Sequence, residues 1–128
     1  MTDPELPPEV LRLIHDSVPT VDALEILVTL ACSPETVWSP VDLHAKIPRV
    51  SETTMGLYLK ELAGQGIVLA EPEGCRYQPA SAAIAGAVSG LCKAYNERPV
   101  TLIRTVYSTA DKRQIQSFAD AFRLKKEE

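Results

Sequence analysis

The sequence predicts a mainly α protein with a small antiparallel β-hairpin and C-terminal helices. Apolar residues recur at three- and four-residue spacing in most of the segments that the prolines mark off. Two short strand-like runs, IVLAE and CRYQP, flank Pro72-Glu73-Gly74, which has the composition of a hairpin turn. From Ser81 onward the chain turns to Ala, Gly and Ser, with larger apolar residues kept to one helical stripe.

Pro7 and Pro8 precede VLRLIHDSV, where Val10, Leu11, Ile14 and Val18 are expected on one face of a short amphipathic helix. Pro19 opens the next unit. Thr20 can cap VDALEILVTLAC, whose Val21, Leu24, Leu27, Val28 and Ala31 share a helical face. Pro34 ends it, because proline cannot continue the backbone ladder. The short strand-like ETVWS leads to Ser39-Pro40, a capping hydroxyl followed by proline at the first helical position. VDLHAKI follows, and Pro48 stops it. Ser51 then caps ETTMGLYLKELAGQ, with Thr54 at the third position, where Glu or Gln would complete a capping box. Gly66 supplies the positive-φ residue that closes this helix before the hairpin.

In SAAIAGAVSGLCKAY the stripe is Ile84, Val88, Leu91 and Tyr95. The β-branched residues of VTLIRTVYS would suit a strand. Its period through Val100, Ile103 and Val106-Tyr107, with Pro99 at the start, favours a helix. DKRQIQSFADAFRLKKEE places Ile115, Phe118, Ala119 and Phe122 on one face, with Asp111 near its start and Lys125-Lys126 near its end, as the helix dipole favours.

With 128 residues there is room for one core and little more. No internal repeat divides the chain. The units expected are residues 1–79, containing a helix-turn-helix at 40–65 and a hairpin at 67–79, and a helical extension at 80–128. Net charge is −4 but unevenly spread. Residues 1–39 hold one basic and seven acidic side chains, residues 40–79 four and five, and residues 80–128 eight and five. Only the last third is basic, and weakly so, where a non-specific nucleic-acid binder is expected to be basic wherever it meets phosphate.

Several chemistries find no residues. The apolar runs fall short of the ~20 residues a membrane span needs. MTDPELPPEV has neither the positive charge nor the apolar run of a signal peptide, so a cytoplasmic protein is expected. Cys32, Cys75 and Cys92 lie on separate segments without metal-ligand or redox spacing, which suits reduced thiols. His15 and His44 stand on different helices with no ligand or triad partner at a useful spacing. No glycine-rich phosphate loop or nucleophile motif is present. No enzyme activity, cofactor or metal site is therefore expected. Trp38 reads as a core anchor, with a ligand pocket beside it the weaker alternative.

Val50, Ser51, Thr54, Met55, Leu59, Leu62, Gly66, Ile67 and Val68 fall at the places of the pattern VSxxTVxxxLxxLxxxGLV. Residues 39–79 thereby resemble the winged helix-turn-helix domains of bacterial transcription regulators, such as the multiple-antibiotic-resistance and arsenic-repressor types. The resemblance covers about a third of the chain and implies a winged helix whose 51–65 segment enters a DNA major groove. The positions facing DNA would be Glu52, Thr53, Gly56, Leu57, Lys60 and Glu61.

Most of the matched positions are structural, so two functions stay open. For a cytoplasmic transcription regulator binding double-stranded DNA, the contacts would come from Arg49, Ser51, Thr53, Lys60 and Arg76. Glu52 and the acidic hairpin tip work against that reading, because they repel phosphate. For a protein-interaction module without DNA binding, the partner surface would be Leu57, Tyr58, Glu71 and Glu73. Gly86 and Gly90, four apart on one helix, would allow a close approach either within the monomer or in a homodimer completed by Phe118 and Phe122. The regulators that this segment resembles generally dimerise through helices outside the DNA-binding unit.

Overall fold

The computed structural model describes residues 6–110. The expected helix beginning near Asp111, and with it Phe118 and Phe122, lies outside the described residues. The fold is mainly α with a small antiparallel sheet. The elements run α1 (Pro8–Ser17), α2 (Val21–Cys32), β1 (Val37–Trp38), α3 (Pro40–Lys46), α4 (Glu52–Gly64), β2 (Val68–Glu71), β3 (Gly74–Tyr77) and α5 (Ala82–Glu97). A sixth helix, α6, occupies residues 99–110, so the helical period prevails there over the β-branched composition.

Helix starts follow the capping residues. Thr20, Ser39, Ser51 and Ser81 each accept a hydrogen bond from the third backbone N–H of the helix that follows. The full capping box falls on α3, where the Ser39 backbone N–H in turn donates to Asp42 at 3.3 Å. On α4 the Ser51 hydroxyl also donates to the Thr54 hydroxyl at 3.0 Å. Helix α4 closes in a Schellman arrangement. Gly66 has φ +78°, its N–H meets the Ala63 carbonyl at 3.1 Å, and the Ile67 N–H meets that of Leu62 at 3.0 Å.

On α1 the buried face is Val10, Leu13, Ile14 and Ser17, while Leu11 turns to solvent. At about 100° per residue, Leu13 and Ser17 share an arc with Val10 and Ile14, and Leu11 does not. The hairpin belongs to a three-stranded sheet of order β1-β3-β2. Val37 and Trp38 pair antiparallel with Arg76 and Cys75, and β2 pairs with β3 from Val68–Tyr77 to Glu71–Gly74. The turn is thus Pro72-Glu73, and Gly74 is already a strand residue.

One hydrophobic cluster runs from Leu6 and α1 through α2, α3, α4 and the sheet to Leu91 on α5 and Leu102 and Val106 on α6. Helix α5 packs on both α1 and α2, burying Ala87, Val88, Leu91 and Ala94. Of the two readings of Gly86 and Gly90, close packing within the monomer is the one that Gly90 follows. A Cβ at Gly90 would lie 2.8 Å from a Val10 methyl, so this glycine lets α1 approach α5 inside the monomer. Gly86 faces open space.

A candidate interaction surface on α3 and α4

Helix α4 has two distinct sides. Met55, Tyr58, Leu59 and Leu62 point into the core. Glu52, Thr53, Leu57, Lys60 and Glu61 are exposed. Leu57 is 66% exposed and Val41 on α3 is 62% exposed. Pro40 and Gly56 join the two helices between them, since a Cβ at Gly56 would make ordinary contact with the Pro40 ring at 3.9 Å. Pro40 and Gly56 thus meet where the two helices touch, and the exposed apolar side chains of Val41 and Leu57 are their chain neighbours. Val41 was not singled out from the sequence. Its signal was its position off the Leu43–Ile47 face of VDLHAKI.

The cations expected to meet phosphate are mostly spoken for. Arg49 donates from Nε to Asp22 at 2.7 Å and pairs through Nη2 with Glu25, both on α2. The hydrogen bonds to Asp22 and then Glu25 raise the Arg49 pKa. Arg76 pairs with Glu71 across the hairpin at 3.0 Å and donates to Gln78 at 3.0 Å. Two of the five proposed DNA contacts thus carry local carboxylate neighbours, and the Ser51 oxygen is engaged in capping α4. Lys60 forms no ion pair among the described residues and stands on the exposed side beside Thr53 and Leu57.

Among the residues proposed for partner contact, Leu57 and Glu73 are exposed and Glu71 is half-buried. Tyr58 is not on the surface. It is 7% exposed, and its hydroxyl donates to the Ser17 carbonyl at 2.5 Å. Position 58 falls on the Met55–Leu62 arc, so the ring ties α4 to the end of α1. Burial, with a smaller contribution from the Glu61 charge, pushes its pKa well above the usual tyrosine value.

The other candidates have structural surroundings. Trp38 is buried in the core, and its indole N–H finds no hydrogen-bond partner among the described residues. His44 Nδ1 meets the Val50 carbonyl at 2.7 Å, and His15 Nδ1 meets Asp16 at 3.0 Å. All three cysteines are free thiols. Burial raises the pKa of Cys75 and, together with the nearby Cys32, that of Cys92, which disfavours the reactive thiolate. Among the described residues no group of His, Cys, Asp or Glu could hold a metal ion, and no helix is long and apolar enough to cross a membrane.

A second surface feature has no counterpart in the sequence reading. A groove of about 1020 Å³ opens between α1 and the first turns of α5, floored by Leu13 and Ile67. At one end Gln65 accepts a hydrogen bond from the Ser17 hydroxyl at 2.5 Å and donates to the Asp16 carbonyl at 2.9 Å. No family model, curated protein or solved structure matches the chain.

Proposed function

We propose that the protein is a non-enzymatic, cytoplasmic winged-helix module whose α3–α4 face docks another protein. The order α2-β1-α3-α4-β2-β3 supports the winged-helix reading. The observation that carries the docking reading is the exposure of the apolar Leu57 and Val41 on the packed helices α4 and α3, while Arg49 and Arg76 already have carboxylate partners. Exposed aliphatic side chains flanked by small residues gain from burial against a partner. They gain little in a groove lined by phosphates.

A DNA-binding transcription regulator is the second reading, favoured by the exposure of Thr53 and Lys60 on the same side of α4. The two readings part in a gel-shift series on random duplex DNA at two salt concentrations. Protein docking predicts no salt-sensitive retardation. DNA binding predicts salt-sensitive retardation, with Lys60→Ala lowering the slope of log affinity against log salt by about 0.9. Leu57→Arg adds a cation to the same face. It should abolish partner binding while shifting stability by no more than about 0.5 kcal/mol, as expected of an exposed site. Retained partner binding in that variant would remove α4 from the interface.

A homodimer belongs to the same proposal. Among the described residues its best surface is the α6 stripe of Val100 and Tyr107, 66% and 61% exposed, with Ile103 between them.

A further inference from the structure

We propose that Cys32 and Cys92 form a redox-responsive pair, which a peroxide closes into a disulfide between the end of α2 and the middle of α5. This is independent of what the α3–α4 face binds. Sequence spacing conceals the pair, because the two cysteines belong to helices far apart in the chain. The fold brings those helices together, since α2 packs on α5.

The helix directions put the two thiols at one level. Val10, near the start of α1, lies against Gly90 of α5. Asp16 and Ser17, at the end of α1, line a groove with Ala83 and Ala87 near the start of α5. Helices α1 and α5 are therefore antiparallel. The short connection at 18–20 sends α2 back along α1, so Cys32, its last residue, returns towards the level of Val10 and Gly90. Cys92 is two residues beyond Gly90. At about 100° per residue it stands on the flank of α5 away from α1, which leaves it to α2 and the sheet. Strand β3 also packs on α2, and its last residue is Tyr77. The side chains feel one another: after burial, the second influence on Cys92 is Cys32, and the second on Tyr77 is Cys92.

Exposure divides the work between the thiols. Cys32 is exposed and Cys92 is half-buried against the core. Burial keeps Cys92 protonated, so the first step falls to Cys32. Its thiolate attacks one peroxide oxygen, the O–O bond breaks, and the departing hydroxide leaves as water, giving the Cys32 sulfenic acid. The Cys92 sulfur then attacks the Cys32 sulfur. The S–O bond breaks, and the hydroxyl group leaves as a second water with the proton from the Cys92 thiol. Two thiols and one peroxide thus become one disulfide and two waters. Helix ends open at little cost, so Cys32 can close on Cys92 without parting the core. The resulting loop encloses residues 33–91, which contain β1, α3, α4, β2 and β3. A cross-link around a loop of that length stabilises what it encloses. Cys75, paired with Trp38 inside the sheet, takes no part.

The test treats the reduced full chain with hydrogen peroxide and then alkylates the remaining thiols under denaturing conditions. The chain should lose about 2 Da before alkylation, for the two thiol hydrogens. Only Cys75 should then be alkylated, and a digest should contain one peptide pair joined through Cys32 and Cys92. Tm should rise by roughly 10 °C on oxidation and fall back with dithiothreitol. Cys92→Ala should abolish both the mass loss and the rise in Tm. If that variant does not fold, Cys32→Ser, at an exposed position, replaces it with the same expectation. Sulfinic acid at Cys32 with Cys92 still alkylated would overturn the proposal, as would three unreacted thiols. A disulfide joining two chains through Cys32 would overturn it as well.

Discussion

Gly74→Ala should cost about 3 kcal/mol or more and lower Tm by roughly 10 °C. Gly74 has φ +154°, a conformation that L side chains rarely adopt. A Cβ there would lie 2.2 Å from the Trp38 carbonyl oxygen, 2.6 Å from its carbonyl carbon and 2.9 Å from the Ser39 nitrogen. These are backbone atoms, so no rotamer change relieves the contact. The chain must part β3 from β1, and the displaced atoms include the N-cap residue of α3. The variant should therefore also disturb the first turn of α3, where Pro40 and Val41 stand. Thermal unfolding followed by circular dichroism checks the stability. A Tm within about 2 °C of wild type would mean that β1 is not held against β3 as described.

Tyr58→Ala should cost about 3–5 kcal/mol, the range for emptying a buried aromatic site. Tyr58→Phe isolates the hydroxyl. It removes the donor to the Ser17 carbonyl and should cost about 1–3 kcal/mol, the penalty for leaving a buried carbonyl unpaired. The two variants should differ again at high pH. Burial raises the folded-state pKa of Tyr58 above its unfolded value of 10.0, so the folded protein holds this proton more tightly. The stabilisation is fully present below pH 10 and is lost as pH climbs from there towards the higher folded pKa. Wild-type stability should accordingly fall faster above pH 10 than that of Tyr58→Phe. The raised pKa values of Cys75, Cys92 and Tyr77 also lower alkaline stability, but they act in both proteins and cancel in the comparison. Parallel pH profiles for the two in denaturant unfolding would show that the hydroxyl is not buried against α1.

The candidate surface was partly legible in the sequence. The spacing of Met55, Leu59 and Leu62 set the inner arc of α4, and with it the exposure of Thr53, Leu57 and Lys60. Tyr58 was misplaced because it borders that arc, and an aromatic ring with a hydroxyl suits either a surface or a core with a waiting acceptor. The acceptor is Ser17, forty-one residues earlier. No local pattern announces such a pair. The same holds for Arg49, whose carboxylate partners lie on α2, and for Gly90, whose neighbour is Val10 on α1.

What the sequence determined by itself is where α2, α3 and α4 begin, where α4 ends, and that residues 67–79 hold a hairpin. Those features rest on hydrogen bonds and dihedral preferences that span only a few residues: Thr20, Ser39 and Ser51 as caps, and Gly66 as the left-handed stop. Only the tertiary structure decided that β1 joins the hairpin, that the arginines are held by carboxylates, and that α1 and α5 leave a groove beside Ile67. Those outcomes depend on which helix faces meet in space. Packing of distant segments sets that, and no single stretch of chain encodes it.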